Sequence, residues 1–381
     1  MIRTTLIGLF LLILSCLGIE EKVQNLQGDK IKGFAFTGPG TGPYQENSFS
    51  SMAENKGNFV ALIPEATVYR QSLEVDYNPK EVWYGESKKG LFDGINKARK
   101  NGLKVMIKPH LTIGWDMSNW DEPKFDVNDS ISISNYGKSA FKFVKNQENK
   151  IIGKGIWRGE LMVKSEKDWK IFENGYTEFI LDYARIADSL NVELFCIGTE
   201  LKRIALEKPQ YIRELTRKVR NVYKGTVTYA ANWDSYDKIE FWDELDYIGI
   251  DAYFPLSDKK LPEMNELKKS WISIGENIDT VSKKFKKKVI FTEWGYEDEE
   301  YVGKEPWKTG NNTISKNRNE TMQANAYKSM FETVWDEPWM KGIFIWRWEP
   351  KSMLLESKNK PNYSPRFLKA EDVLRNWFMK K

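Results

Sequence analysis

Eight short apolar runs recur along the chain, and no other feature of the sequence constrains the fold as much. They occupy residues 31–37, 58–64, 103–109, 192–199, 226–232, 245–251, 287–293 and 342–347. Each is rich in Val, Ile, Phe or Tyr, and several are apolar throughout, as strands buried on both faces are. Longer segments with helical periodicity separate them. The clearest is 166–190, where Trp169, Phe172, Tyr176, Phe179, Ile180, Tyr183 and Ala187 recur at three- and four-residue spacing. The segment 86–101 stops at Asn101-Gly102, and 210–223, 262–285, 319–335 and 365–379 complete the set. Strands alternating with helices form parallel βα units, and eight such units close a barrel. The competing architecture is an open doubly wound sheet, which would carry a glycine-rich phosphate loop after its first strand. Here Gly38-Pro39-Gly40-Thr41-Gly42-Pro43 is a proline-punctuated turn instead. The expectation is an α/β fold, a single (β/α)8 TIM barrel. The connection from 109 to 166 is too long for a plain βα loop. With Trp115, Trp120, Trp157 and short strands expected around 155–162, it reads as an extended loop after the third strand that builds subsites.

The amino terminus reads differently. Met1-Ile2-Arg3, an apolar stretch from Leu6 to Leu14 and then Ser15-Cys16 make a secretory signal. The sequence Ile13-Leu14-Ser15-Cys16 resembles the lipobox of bacterial lipoproteins, whose cleavage leaves the cysteine to carry lipid. The alternative is an ordinary signal peptide in which Cys16 is discarded. We therefore expect residues 1–16 to be a lipoprotein signal peptide, 17–30 a polar tether and 31–381 the (β/α)8 domain. It would work as a monomer outside the cytoplasm, touching a membrane only through a lipid anchor. Cys196, in an apolar run, reads as a small buried hydrophobe.

Composition narrows the chemistry. A single His and two Cys leave no material for a His- or Cys-rich metal site or a Ser-His-Asp triad. Lys and Arg number 58 against 54 Asp and Glu, so a nucleic-acid partner has no electrostatic footprint. Fifteen Trp, 17 Tyr and 20 Phe make the chain rich in rings that suit either a core or the apolar faces of sugars. In barrels the chemistry gathers at the carboxyl ends of the strands. Those ends carry Lys108 and His110, Thr199-Glu200, Asn232-Trp233-Asp234, Asp251-Ala252-Tyr253, Glu293-Trp294 and Trp346-Arg347. Glu200 and Glu293 each close an apolar run on strands four and seven. A charge there is costly unless paired or used. Taken singly, either could be a structural ion pair. Together they match glycoside hydrolysis, which needs one carboxyl to protonate the leaving oxygen and another to attack or to activate water.

The succession Lys32-Gly33-Phe34-Ala35, Ile197-Gly198-Thr199-Glu200, Asp246-Tyr247-Ile248-Gly249-Ile250-Asp251, Phe291-Thr292-Glu293-Trp294-Gly295-Tyr296 and Trp346-Arg347-Trp348 resembles glycoside hydrolase family 113. That family belongs to the retaining barrel hydrolases of clan A, and its characterised members are β-mannanases. The resemblance implies Glu200 as acid/base and Glu293 as nucleophile, no cofactor and no metal, and a mannan or glucomannan substrate. Their carboxyl oxygens would stand ~5–5.5 Å apart, the spacing of a double displacement. Alternatives are a same-clan hydrolase of glucan or xylan, and a non-catalytic glycan-binding lipoprotein. The wider clan often places Asn before the acid/base to hold the sugar 2-hydroxyl; Thr199 stands here, with Asn232 a candidate substitute. Tyr253 either hydrogen-bonds the nucleophile or seals the barrel top. His110 either donates to a sugar hydroxyl, orients Glu200 or is structural. Trp346 is the expected stacking platform, while Trp294 and Trp233 are further subsites or core. Lys108, Arg347 and Asp251 bind hydroxyls or neutralise one another. Glu65 and Glu160 are additional binding candidates.

Overall fold

A computed structural model describes residues 26, 28–38, 42–77, 83–115, 148–152, 157–308, 317–356 and 360–380. Cys16, the signal segment and Trp120 lie outside the described residues. Eight parallel strands, β1 (Ile31–Phe36), β2 (Phe59–Leu62), β3 (Lys104–Ile107), β4 (Leu194–Thr199), β5 (Thr226–Asn232), β6 (Ile248–Asp251), β7 (Val289–Trp294) and β8 (Met340–Ile345), close into a barrel in which each strand pairs with its neighbours in sequence and β8 returns to β1. All eight fall on the apolar runs. Their period-two alternation decides which side chains go where. Ala35, Ala61, Cys196 and Ala230 face inward with the larger Phe59, Met106, Ile290 and Phe344, and small beside large fills the barrel interior. Phe195, Ile197, Val227 and Phe291 point outward into the layer beneath the helices.

That layer is closed by α1 (Glu46–Glu54), α2 (Lys88–Lys100), α3 (Glu166–Ser189), α4 (Lys202–Glu207), α5 (Pro209–Val222), α6 (Met264–Phe285), α7 (Glu320–Phe331), α8 (Lys351–Glu356) and α9 (Lys369–Met379). Ser87, Ser165 and Asn319 cap α2, α3 and α7 by accepting a backbone N–H in the first turn. One unit departs from the pattern. The β5–β6 connection has no α-helix, only the 3₁₀ turns Tyr236–Lys238 and Trp242–Glu244. Ile239, Phe241 and Trp242 of this connection are buried in its place, covering only part of the space, each at most 1% exposed, which contributes about 1.5–3 kcal/mol per large side chain.

Two expectations change here. The last residues of the expected tether belong to the folded domain. Leu26 is buried with the barrel-interior residues, and Lys341 Nζ donates to its carbonyl and to that of Asp29 (2.9 Å). After β3 the chain does build an excursion, and within 155–162 the described residues carry a strand only from Met162, residues 155–156 lying outside them. His110–Gly114 pairs with Glu65–Tyr69 beside the barrel, and Ile151–Ile152 pairs with Met162–Val163. Residues 158–160 form a 3₁₀ turn rather than a strand.

Candidate active site

The carboxyl ends of the strands surround a cavity of about 780 Å³. Glu200, Glu293, His110, Asn232, Tyr253 and Trp346 line it. Glu200 follows β4 with φ near +53°, a left-handed conformation that costs a non-glycine residue about 1 kcal/mol or more. Its N–H donates to Ala230 O (2.8 Å), which anchors the turn and aims the carboxyl into the mouth. Asn232 Nδ2 donates to Glu200 Oε1 (3.1 Å) and Trp157 Nε1 to Oε2 (3.4 Å). Asn232 therefore serves the carboxyl itself. Thr199 Oγ1 donates to Pro109 O (3.3 Å), so it too is committed to the protein.

Glu293 sits among donors. Lys108 Nζ and His110 Nε2 (3.3 Å) approach Oε1, and the Tyr253 hydroxyl donates to Oε2 (2.7 Å). The pairing registers of β6 and β7 slip just before Asp251 and near Glu293, and such irregularities re-aim side chains at strand ends. Beneath Glu293, Lys108 and Asp251 are wholly buried. Lys108 Nζ donates to Asp251 Oδ1 (3.1 Å) and Oδ2 (3.2 Å), and Thr292 Oγ1 donates to Oδ1 (2.8 Å).

These surroundings push the carboxyls apart. Desolvation in the cleft and the charge of Glu293 raise Glu200 above the ordinary carboxylate value, against the opposing pull of Arg158 and Lys108. Desolvation also works to raise Glu293, but Lys108 and His110 outweigh it and hold Glu293 well below that range. Burial and Glu293 raise Asp251 well above its ordinary value despite Lys108. Burial and the nearby Arg158 cation lower His110 to about 3, so it is neutral near pH 7 and donates to Glu293 as a neutral ring. One carboxyl poised to hold a proton thus faces one held ionised, the division of labour that acid-plus-nucleophile chemistry requires.

Several expected site residues take other places. His110 contacts Glu293 rather than Glu200, with its ring stacked toward Trp346 (centroids 6.1 Å apart). Lys108 and Asp251 are hydrogen-bonded to each other under Glu293 and are too deeply buried to meet a sugar. Trp294 is fully buried against Tyr327 and Phe331. Consecutive strand residues point to opposite faces, so with Glu293 in the mouth Trp294 must enter the helix layer. Arg347, beyond the end of β8, pairs with Glu349 and is not among the residues lining the cavity. Trp233 does line the cavity, stacked on Trp307 (4.9 Å). Glu65 and Glu160 are not among the residues lining it.

Trp157, Arg158, Trp307, Lys308 and Tyr363 also line the cavity, and none stands at a strand end where sequence would have pointed to it. Trp157 carried a weak signal as an aromatic in the long excursion. Gly159 lets it fold over: a Cβ there would fall 2.3 Å from the indole. Gly295 is needed for a related reason. A Cβ would sit 2.1 Å from Trp346 O, blocking the approach at which Trp346 N–H donates to Trp294 O (2.7 Å). Among the described residues no group of His, Cys, Asp and Glu could hold a metal ion.

The barrel is shared with known enzymes. A β-mannanase of glycoside hydrolase family 113 from Alicyclobacillus acidocaldarius, solved in complex with ManMIm, superposes with a TM-score of 0.69 at 23% identity, covering 93% of this chain and 98% of that one. A β-1,4-mannanase of the same family matches at 0.69 and 22%, over 93% and 100%. A β-glucuronidase from Ruminococcus gnavus matches at 0.54 and 11%, over 92% of this chain and 50% of its own. None of the curated proteins compared with the chain matches it. The sequence profile of glycoside hydrolase family 113 matches residues 125–365, well over half of the chain. The chain is a glycoside hydrolase and belongs to glycoside hydrolase family 113.

Proposed function

We propose that this glycoside hydrolase cleaves β-1,4-linked mannan or glucomannan with retention, by a double displacement between Glu200 and Glu293. The opposed electrostatics of the two carboxyls carry the reading. Glu293, ionised under three donors, attacks the anomeric carbon while Glu200 gives its proton to the departing glycosidic oxygen. The covalent glycosyl-enzyme then neutralises Glu293. This removes the charge that adds to desolvation in raising Glu200, and Glu200 is left as the base that takes a proton from water. Lys108 and Tyr253 act through Glu293 as positioning residues, and Asn232 acts through Glu200. Trp346, half-buried beside His110, offers a face to the reacting sugar. Family membership supports a carbohydrate substrate, and the mannanases of similar fold favour mannan.

The test is release of reducing sugar from mannan, glucomannan, xylan and β-glucan by the folded domain, beside Glu293→Gln and Glu200→Gln, with proton NMR of the first product formed. Mannan cleavage giving the β-anomer and abolished by Glu293→Gln is the expected result. Cleavage of β-glucan or xylan alone would keep the mechanism and reject mannan. An α-anomer as first product would reject double displacement, and tight binding without cleavage would make the protein a glycan-binding module.

We further propose, from the lipobox-like Ile13-Leu14-Ser15-Cys16, that the protein is held at a membrane outside the cytoplasm by lipid on Cys16. Among the described residues no helix is long and apolar enough to cross a membrane. Incorporation of labelled palmitate that persists in Cys16→Ser would reject the anchor.

A further inference from the structure

The missing helix of the β5–β6 unit leaves an opening in the helical ring. A second hollow of about 570 Å³ occupies its side of the barrel, within the ~300–1,000 Å³ typical of ligand sites. One wall is the start of the β5–β6 connection, Trp233 to Asp237, backed by Phe254. The other is a stripe of α6 formed by Ile274, Asn277, Thr280, Val281 and Lys284. Their three- and four-residue spacing puts them on one helix face, the face a preceding helix would otherwise cover. Asn277, Thr280 and Lys284 are exposed, while Val281 and Phe254 are buried at the base.

This hollow adjoins the cleft. Trp233 and Asp234 line both cavities. Asp234 is held through Oδ2 by Lys202 (2.6 Å), and its Oδ1, buried at this junction, has no hydrogen-bond partner in the structure. A buried acceptor left unpaired calls for a donor, which a sugar hydroxyl supplies. The composition suits sugar as well: aromatic walls below, with carboxylate, amide, hydroxyl and ammonium groups at the rim. Trp233 directly follows Asn232, which donates to Glu200, so the junction lies on the side of the proton donor, where the leaving part of the substrate resides.

We propose that the groove between the β5–β6 connection and α6 is a distal glycan-binding site, and that the leaving arm of a long polysaccharide passes over Trp233 into it. The inference rests on the reading of the cleft as a glycan-cleaving site with Glu200 as proton donor. It makes the cleft open at this end, so the enzyme gains from chain length on the leaving side.

The test compares mannohexaose with an aryl β-mannobioside whose leaving group ends inside the cleft. Thr280→Trp puts an indole into the groove from an exposed helix position. The control, Ile272→Trp, alters an exposed position of α6 that does not line the groove. We expect Thr280→Trp to lower the hexaose-to-aryl-glycoside ratio of kcat/KM about tenfold, equivalent to about 1.4 kcal/mol, and the control to leave it unchanged. Thermal unfolding of each variant verifies the fold. An unaltered ratio in folded Thr280→Trp would overturn the groove, as would an equal drop in the control. If the wild type cleaves xylan or β-glucan instead, the mannan reading fails and the ratio is read on the matching hexaose. If it cleaves none of these, the hexaoses are titrated into Glu293→Gln, with and without Thr280→Trp. Tenfold weaker binding with the tryptophan supports the groove, and equal or absent binding rejects it.

Discussion

Lys108→Met tests the electrostatic account of the cleft most directly. Lys108 is wholly buried, donates to both oxygens of Asp251 and to Oε1 of Glu293, and is the full cation among the three donors around Glu293. A hydrogen bond to a charged group contributes about 1.5–3 kcal/mol net. At 1.36 kcal/mol per unit, its loss should raise Glu293 by about one to two pH units. Glu293 acts ionised, and its value in the folded chain lies below the ordinary 4.5, so the acidic limb of kcat/KM should move upward in the variant. The stability follows with the same sign. Ionised Glu293 contributes stability above about 4.5 that is lost as pH falls, and without Lys108 that contribution shrinks. Removing one partner of a buried ion pair costs about 3–5 kcal/mol, so Lys108→Met should also melt earlier. Adding Asp251→Asn removes the carboxyl left unpaired and should recover part of this loss, leaving a folded protein whose acidic limb can be read. The assay is the pH dependence of kcat/KM by sugar release, with thermal unfolding alongside. An acidic limb unmoved in both the single and the double variant would refute the reasoning.

Arg158→Met should shift the opposite limb. Glu200 acts protonated and Arg158 pulls its value down, so removing the cation should extend kcat/KM toward higher pH, read from the same profile. Tyr253→Phe deletes a neutral donor of about 0.5–1.5 kcal/mol. It should lower kcat/KM several-fold, with a smaller shift of the acidic limb than Lys108→Met. Trp294→Ala should destabilise the fold by about 3–5 kcal/mol in denaturant titration, whereas Trp346→Ala should spare stability and lose activity. Gly295→Ala should cost about 1–3 kcal/mol and lower activity as well, because its methyl group would collide with Trp346 O.

Much of this architecture was legible in the sequence because it rests on local periodicity. Strands buried on both faces must be apolar along their length, and each of the eight runs became a barrel strand. Carboxylates that close such runs stand out as costly, which singled out Glu200 and Glu293. The alternation of strands and helices did not reveal that the β5–β6 unit lacks its helix.

What sequence could not resolve was direction and depth at the strand ends. Glu293 and Trp294 are neighbours in the chain, yet pleating sends one into the mouth and the other under α7, and register slips decide which. Whether Lys108 binds a hydroxyl or pairs within the protein was decided only when the closed barrel placed Asp251 and Glu293 around it and buried Lys108 and Asp251 completely beneath the cleft. Trp157, Trp307 and Tyr363 reach the cleft from loops that carry no periodic signal. The sequence by itself determined which segments are buried strands and which carboxyls terminate them, because burial selects composition. Only the tertiary structure decided the charge of those carboxyls, because their pKa values depend on groups brought together from distant strands.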